Sequence, residues 1–562
     1  MTQAPWWASA VVYQIYPRSF ADADGDGIGD VPGIISKLDY LHELGVDVVW
    51  ISPFYRSPMD DNGYDISDYR DVDPVFGTLA DLDKLIAQLH ARGMKLVIDV
   101  VVNHTSDEHP WFVESRASKD NPKRDWYWWR PAHDGREPTN WIAAFQGSAW
   151  ELDPTTDEYY LHLFSRRQPD LNWENPDVRA AVYEMLRWWL ARGVDGFRMD
   201  VINYVSKRLP LQDGPPIPNS RYGNGSAFYW CGPRIHEFLH ELNTEVIASQ
   251  DRQLVTVGEM PGVTIEDAQR FTDPANAEVD MVFQFEHVGL DHGPGGRYDL
   301  APLRLTDLKR SLGRWQEGLA KSGWNSLYWN NHDQPRAVSR YGTDDPEYRV
   351  RSAKLLGTVL HLHRGTPYVY QGEELGMTNY PFASIDELRD LDSLNYYAAA
   401  TAAGRDADAV FAALRTRSRD NGRTPMQWDA SEHAGFTTGT PWIAVNPNHV
   451  EINAAAQADD PDSVFRHYQK LIALRHELPV VAHGEFSMLL PDDEHVYAFT
   501  RRDQGVELLV IANFGEAEQG VDLPDWSGAE LVLGNYPDPG AELTLRAWEA
   551  RVLISTPGGP MR

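Results

Sequence analysis

The sequence predicts an α/β protein built on a (β/α)8 barrel, with a domain inserted after the third strand and an antiparallel β domain at its C-terminal end. Three observations predict it. Short apolar runs alternate with amphipathic stretches up to Leu478, and eight such runs can be counted. The rhythm breaks over residues 105–173, where Trp, Tyr, Pro, Asn and Asp crowd together. After Leu478 it gives way to short alternating strands, EFSMLL, HVYAFTRR and VELLVIANF. The expected division is barrel over 1–104 and 174–478, inserted domain over 105–173 and C-terminal β domain over 479–562.

In chain order, VVYQIYPRSF reads as the first strand. Gln14 cuts its apolar run and no basic segment precedes it, so it does not read as a signal peptide. A helix ending at Gly45 leads into VDVVWISP, the second strand. TLADLDKLIAQLHARG places Leu82, Leu85, Ile86 and Leu89 at helical spacing, and Thr78 with Asp81 three residues on predicts a capping box. KLVIDVVVNH is the third strand. The helix before GFRMDV has Asn175 for its N-cap, Pro176 for its first turn and Gly193 for its stop. GFRMDV, LVTVGEM, DMVFQFEH, WNSLYWNNHD and TPYVYQGEELG complete the eight. A polar, irregular stretch from Met377 to Val450 reads as an elaborated eighth loop, and SVFRHYQKLIALRHEL closes the ring.

Composition narrows the partners. With 51 basic and 83 acidic residues the formal charge is −32, which argues against nucleic acid or an anionic membrane and suits a small neutral substrate. The same acidity also serves plain solubility. The single cysteine, Cys231, excludes an internal disulfide framework and fits a reducing, cytoplasmic compartment. No segment approaches the length of a membrane span.

In a (β/α)8 barrel the C-terminal strand ends build the site. Those ends carry Asp99, Asn103 and His104, then Arg198 and Asp200, then Glu259, then His332 and Asp333. Arg198 and Asp200 stand two apart, so they emerge on one side of their strand, and the guanidinium is expected to keep the acid ionised. A lone Arg-x-Asp is usually a structural ion pair; four polar strand ends converging on one pocket favour a site. A metal centre is the main rival, but the two histidines follow different strands and lack ligand spacing. Paired carboxylates flanking a sugar bond account for the set better.

DVVVNH, GFRMDV, VGEM and NNHD resemble, in order, the four conserved segments of the α-amylase superfamily of glycoside hydrolases. QPDLNW from Gln168 and GRTPMQW from Gly422 are similar to its oligo-1,6-glucosidase and α-glucosidase branch. The resemblance implies a retaining, exo-acting α-glucosidase in which Asp200 is the nucleophile, Glu259 the general acid/base and Asp333 the third carboxylate. It implies that Asp65 and Arg423 clamp the terminal glucose, that Tyr64 stacks on its ring and that His104 and His332 bind its hydroxyls. Phe145, Phe164 and Gln168 match positions at the mouth, with core packing an equal alternative for the two phenylalanines. Val201, directly after the nucleophile, matches relatives that prefer α-1,6 linkages. Chemistry adds that Glu259, in an apolar strand end near two acids, should have a raised pKa.

Alternatives stay open within the family: an α-1,4-glucosidase, a sucrose hydrolase, or a transferring or sucrose-isomerising relative. Sucrose isomerases carry a charged loop before the fourth segment where this chain has GPGGRYDLAP. Non-catalytic transporter partners carry a membrane anchor and often an eroded triad, neither of which is found here. DADGDGIGD places Asp22, Asp24, Asp26 and Asp30 at alternate positions, with Gly27 for a sharp turn and Ile28 offering a carbonyl. Related enzymes often bind Ca2+ at this loop, so a structural Ca2+ is expected against a merely solvated acidic turn. The twelfth position is Gly33, so no EF-hand is implied.

Overall fold

The computed structural model describes residues 5–555 apart from 219, 524–525, 527–528 and 539–543. Eight parallel strands form one sheet: β1 (Val12–Ile15), β2 (Val48–Ile51), β3 (Lys95–Val101), β4 (Gly196–Asp200), β5 (Val255–Glu259), β6 (Met281–Phe283), β7 (Ser326–Leu327) and β8 (Thr366–Tyr370). Their order is β6-β5-β4-β3-β2-β1-β8-β7, and a parallel bridge between Val282 and Asn325 closes the ring between β6 and β7. Burial on both faces explains the unbroken apolar runs of these strands.

Local signals set the flanking helices. Thr78 and Asp81 make the reciprocal capping box at the start of Leu79–Ala91. Asn175 accepts the Asp177 N–H at the start of Pro176–Ala191, and Gly193 follows with φ at +107°. β4 then opens on Gly196, where a Cβ would lie 2.1 Å from the Val255 carbonyl oxygen. This close approach brings β4 against β5, and their register pairs Arg198 with Val257 and Met199 with Gly258. One step further sets Asp200 level with Glu259.

The inserted segment has a short helix, Pro110–Ala117, and a three-stranded antiparallel sheet in which Glu158–Leu161 lies between Trp129–Arg130 and Trp150–Asp153. Its apolar core of Trp128, Trp141, Trp150 and Leu161 continues into Val201 and Tyr204 of the barrel's fourth loop. A buried ion pair, Lys207 to Asp170 at 2.7 Å, joins the two, with Lys207 also 3.0 Å from the Asn103 side chain.

The eighth loop departs from the irregular stretch expected. It holds helices Leu391–Ala402 and Ala407–Arg417, N-capped by Asp390 and Asp406. Both are alanine-rich with little apolar periodicity, so propensity and caps rather than an amphipathic pattern specify them. A short helix, Pro479–His483, precedes a five-stranded antiparallel sheet in the order Glu485–Leu489, Val496–Asp503, Val506–Asn513, Ala550–Ser555, Glu530–Gly534. Tyr497, Phe499, Leu508 and Val510 of that sheet share a core with Leu355, Leu356 and Val359 of helix Arg349–His361. Among the described residues no helix is long and apolar enough to cross a membrane.

Candidate active site

The strand ends deliver three carboxylates to one guanidinium. Arg198, 1% exposed, places Nη1 at 2.7 Å from Asp99 Oδ1 and 2.6 Å from Asp200 Oδ1, and Nη2 at 2.8 Å from Glu259 Oε2. Sequence reading paired Arg198 with Asp200 alone. Sharing changes the electrostatics: burial pushes Asp200 above the usual carboxylate range, and Arg198 opposes this while the neighbouring Asp99 adds to it. The expected lowering of the Asp200 pKa is therefore corrected, because one guanidinium cannot offset burial for three acids at once. Glu259 is pushed up to about 8 by burial, against Arg198 and with the help of Asp200 and Asp333. It is a protonated acid at neutral pH.

Glu259 is also oriented. Its Oε2 takes the Arg198 Nη2 contact and the Val201 N–H at 3.2 Å, leaving Oε1 to carry the acid proton. Val201 adopts a left-handed backbone, φ 34° and ψ 39°, which a β-branched residue enters only at a cost. That conformation aims its N–H at the acid, while the side chain lies in the apolar cluster with Tyr204.

Asp333 lies six residues past β7. Burial would raise its pKa, but Arg419 and Arg423 outweigh it and hold the carboxyl well below the usual range. Arg423 Nη2 is 2.9 Å and Arg419 Nη1 3.2 Å from its Oδ1. His332 lies stacked between Tyr64 (5.1 Å, 3°) and Tyr16 (6.1 Å, 12°), and burial drives its pKa down to about 3, so it is neutral. Tyr64 donates its hydroxyl to Asp99 at 2.9 Å. Burial lowers the pKa of His104 as well, and its Nε2 faces the Tyr64 carbonyl at 3.1 Å and Gln168 at 3.2 Å.

The expected Asp65–Arg423 clamp does not form. Asp65 is fully buried beneath the 57–65 turn, where it accepts the N–H groups of Asp60 (2.9 Å) and Asp61 (3.0 Å) and the Ser57 hydroxyl (3.0 Å). Burial pushes its pKa up to about 7. The carboxylate it positions is Asp61, which meets Arg419 at 3.1 Å and Gln168 at 3.2 Å. Asp61, Arg419 and Asp390 escaped sequence reading. The run PMDDNGYD offers three aspartates and RSRDNGR three arginines, and no periodicity separates them.

Phe145 lies under the Arg419 guanidinium at 4.9 Å, and Phe164 stacks on Tyr204 at 6.1 Å and 13°. Both line a groove of about 700 Å3 between the inserted domain and helix Leu391–Ala402. At the first loop the structure brings together Asp22, Asp24 and Asp30, with oxygens within 4.8 Å of one another. Asp26 is left out of that cluster, its Oδ1 accepting the Ile28 N–H at 2.8 Å. Gly27, at φ +93°, has room for no Cβ, which would lie 1.8 Å from the Thr440 carbonyl.

Comparison with known proteins agrees with this geometry. The alpha amylase catalytic domain family matches residues 14–484 and the maltogenic amylase C-terminal domain family matches residues 486–555. The chain belongs to the alpha-amylase family and is a glycoside hydrolase. It is 58% identical to the oligo-1,6-glucosidase of Parageobacillus thermoglucosidasius, covering 97% of this chain and 98% of that one. A crystal structure of a variant trehalose-6-phosphate hydrolase of Bacillus licheniformis superimposes with a TM-score of 0.94 at 47% identity, covering 98% of this chain and 100% of that one. Isomaltulose synthase of Klebsiella sp. LX3 does so at 0.95 and 43%, with the same coverage.

Proposed function

We propose that the chain is a retaining, exo-acting oligo-1,6-glucosidase that releases terminal α-linked glucose from short oligosaccharides. One observation carries the reading: Asp200 and Glu259, at level ends of adjacent strands, lie on the two nitrogens of Arg198. That closeness suits the roughly 5–5.5 Å separation of a retaining pair. In the first step Asp200 attacks C1 and Glu259 passes the proton on Oε1 to the departing glycosidic oxygen, leaving a glucosyl ester on Asp200. In the second, the Glu259 carboxylate takes a proton from water as that water attacks C1 and frees Asp200.

Asp333, with Arg419 and Arg423 behind it, would hold hydroxyls of the flattening ring, and Asp61 with Arg419 would close the non-reducing end. Neutral His104 and His332 would add donors without competing for the acid proton. The 1,6 preference rests on the oligo-1,6-glucosidase relatives and on Val201 beside the aromatic wall. Trimming a methyl-sized group there is worth about 1–3 kcal/mol of discrimination.

Asp22, Asp24 and Asp30 form a hard-oxygen set that fits Ca2+, which would tie the first loop to the eighth through Thr437, whose hydroxyl bonds Asp22. The single cysteine supports a cytoplasmic address. Glucose release from isomaltose, maltose, sucrose and trehalose 6-phosphate, measured side by side, tests the reading. Isomaltose should lead; a lead for any other would overturn the linkage assignment.

A further inference from the structure

We propose that Asp390, which lies behind the sugar pocket, is a positioning residue that draws the Arg419 guanidinium back and so leaves Asp61 and Asp333 free to bind hydroxyls. The inference rests on the glucosidase reading above and concerns a residue that touches no substrate.

The distances carry it. Arg419 places Nε at 2.8 Å and Nη2 at 2.7 Å from a single oxygen, Asp390 Oδ1. Its contacts to the two pocket acids are longer, 3.1 Å to Asp61 and 3.2 Å to Asp333. The tighter pull is thus away from the pocket. Arg423 Nη1 also faces Asp390, at 3.6 Å, while its Nη2 lies 2.9 Å from Asp333. Three carboxylates share two arginines. Without the rear one, Asp61 and Asp333 would be the only carboxylates left in direct contact with the two guanidiniums, and the pull onto the lone pairs that sugar hydroxyls need would grow.

Asp390 is itself fixed. It is fully buried, caps helix Leu391–Ala402 by accepting the N–H groups of Asp392 and Ser393 at 3.3 Å, and accepts the Ser393 hydroxyl at 2.7 Å. Its own N–H, with that of Arg389, is held by Asp420 Oδ2 at 2.9 and 2.7 Å. Burial would raise its pKa, yet Arg419 and Arg423 hold it well below the usual carboxylate range, so its charge persists wherever the enzyme works.

The capping role and the charge can be separated, because Asn and Ser cap helices about as well as Asp. Asp390→Asn and Asp390→Ser keep the cap, so any fall in their melting temperature reports the lost buried ion pair with Arg419 and Arg423 rather than a frayed helix start. Their kcat/KM, on whichever disaccharide the wild type cleaves, should fall on the order of 10- to 100-fold, the usual consequence of misplacing a binding group by an ångström. The Ki for glucose should rise in step, because the clamp holds the product ring too. Wild-type kinetics in both variants would overturn the proposal. So would a fall in kcat/KM with an unchanged Ki for glucose in both, because a displaced clamp must weaken binding of the product ring as well. Absence of glucose release by the wild type itself would remove the glucosidase reading, and this inference with it.

Discussion

Asp99→Asn is the substitution that most directly probes how the active-site charges are arranged. Asp99 and Asp200 both lie on Arg198 Nη1, at 2.7 and 2.6 Å. Their nearest oxygens are thus no more than about 5 Å apart, and at an effective dielectric of about 20 two charges at that distance repel by about 3 kcal/mol, or about two pH units. The amide keeps the size of the carboxyl and can still accept from Arg198, so the main loss is the charge. With that charge gone, Asp200 ionises more readily. The acidic limb of kcat/KM, expected to follow Asp200, whose pKa burial raises to about 6, should move down by about two units. The basic limb, set near 8 by Glu259, should move less, because Asp200 rather than Asp99 is its leading acidic neighbour.

The assay is kcat/KM on an aryl α-glucoside across about pH 4 to 10. An acidic limb that stays put or climbs would refute the shared-guanidinium account. Stability supplies an independent check on sign. Burial leads in raising the folded-state pKa of Asp99 above its unfolded value, so ionising it in the folded protein costs stability. That cost grows as pH rises from the unfolded to the folded pKa and is complete above it. The variant should accordingly gain melting temperature over wild type at pH 8, with the gain vanishing near pH 4.

Two further outcomes follow from other parts of the structure. Val201→Thr keeps the β-branch and hence the left-handed backbone that serves Glu259, so the pH profile should hold, while the maltose-to-isomaltose ratio of kcat/KM should rise on the order of tenfold; an unchanged ratio would leave linkage choice to other loops. If the Asp22, Asp24 and Asp30 cluster takes Ca2+, adding the ion at about 100 times its Kd should contribute about 2.7 kcal/mol of stability, seen as a rise in melting temperature. Asp24→Asn should abolish that rise and Asp26→Asn should not; equal effects of the two would refute the assignment of ligands.

What could be read from the sequence was whatever the chain holds close together or repeats. The barrel was legible because eight buried strands each leave a short apolar run, and the capping signals at Thr78 and Asn175 bound the helices between them. The acids Asp200 and Glu259 were legible because each ends a strand, and strand ends of a barrel meet. The clamp was not. Asp61 and Arg419 are 358 residues apart, on two loops whose paths depend on how the inserted domain and the eighth-loop helices pack. Nothing local distinguishes Asp61 from Asp65, and the difference between them is burial: one carboxylate turns into the pocket, while the other turns under its own loop to hold the first in place. The sign of the Asp200 shift was hidden for the same reason. An arginine two residues away is visible in sequence, but the two further acids that divide its charge come from neighbouring strands, and the desolvation that outweighs it belongs to the whole site. Charge sharing on Arg198 and the rear brace on Arg419 are thus two forms of one design, in which a buried guanidinium is divided among three carboxylates. An acid that must attack, donate or bind hydroxyls needs lone pairs left free, and a one-to-one ion pair would take them.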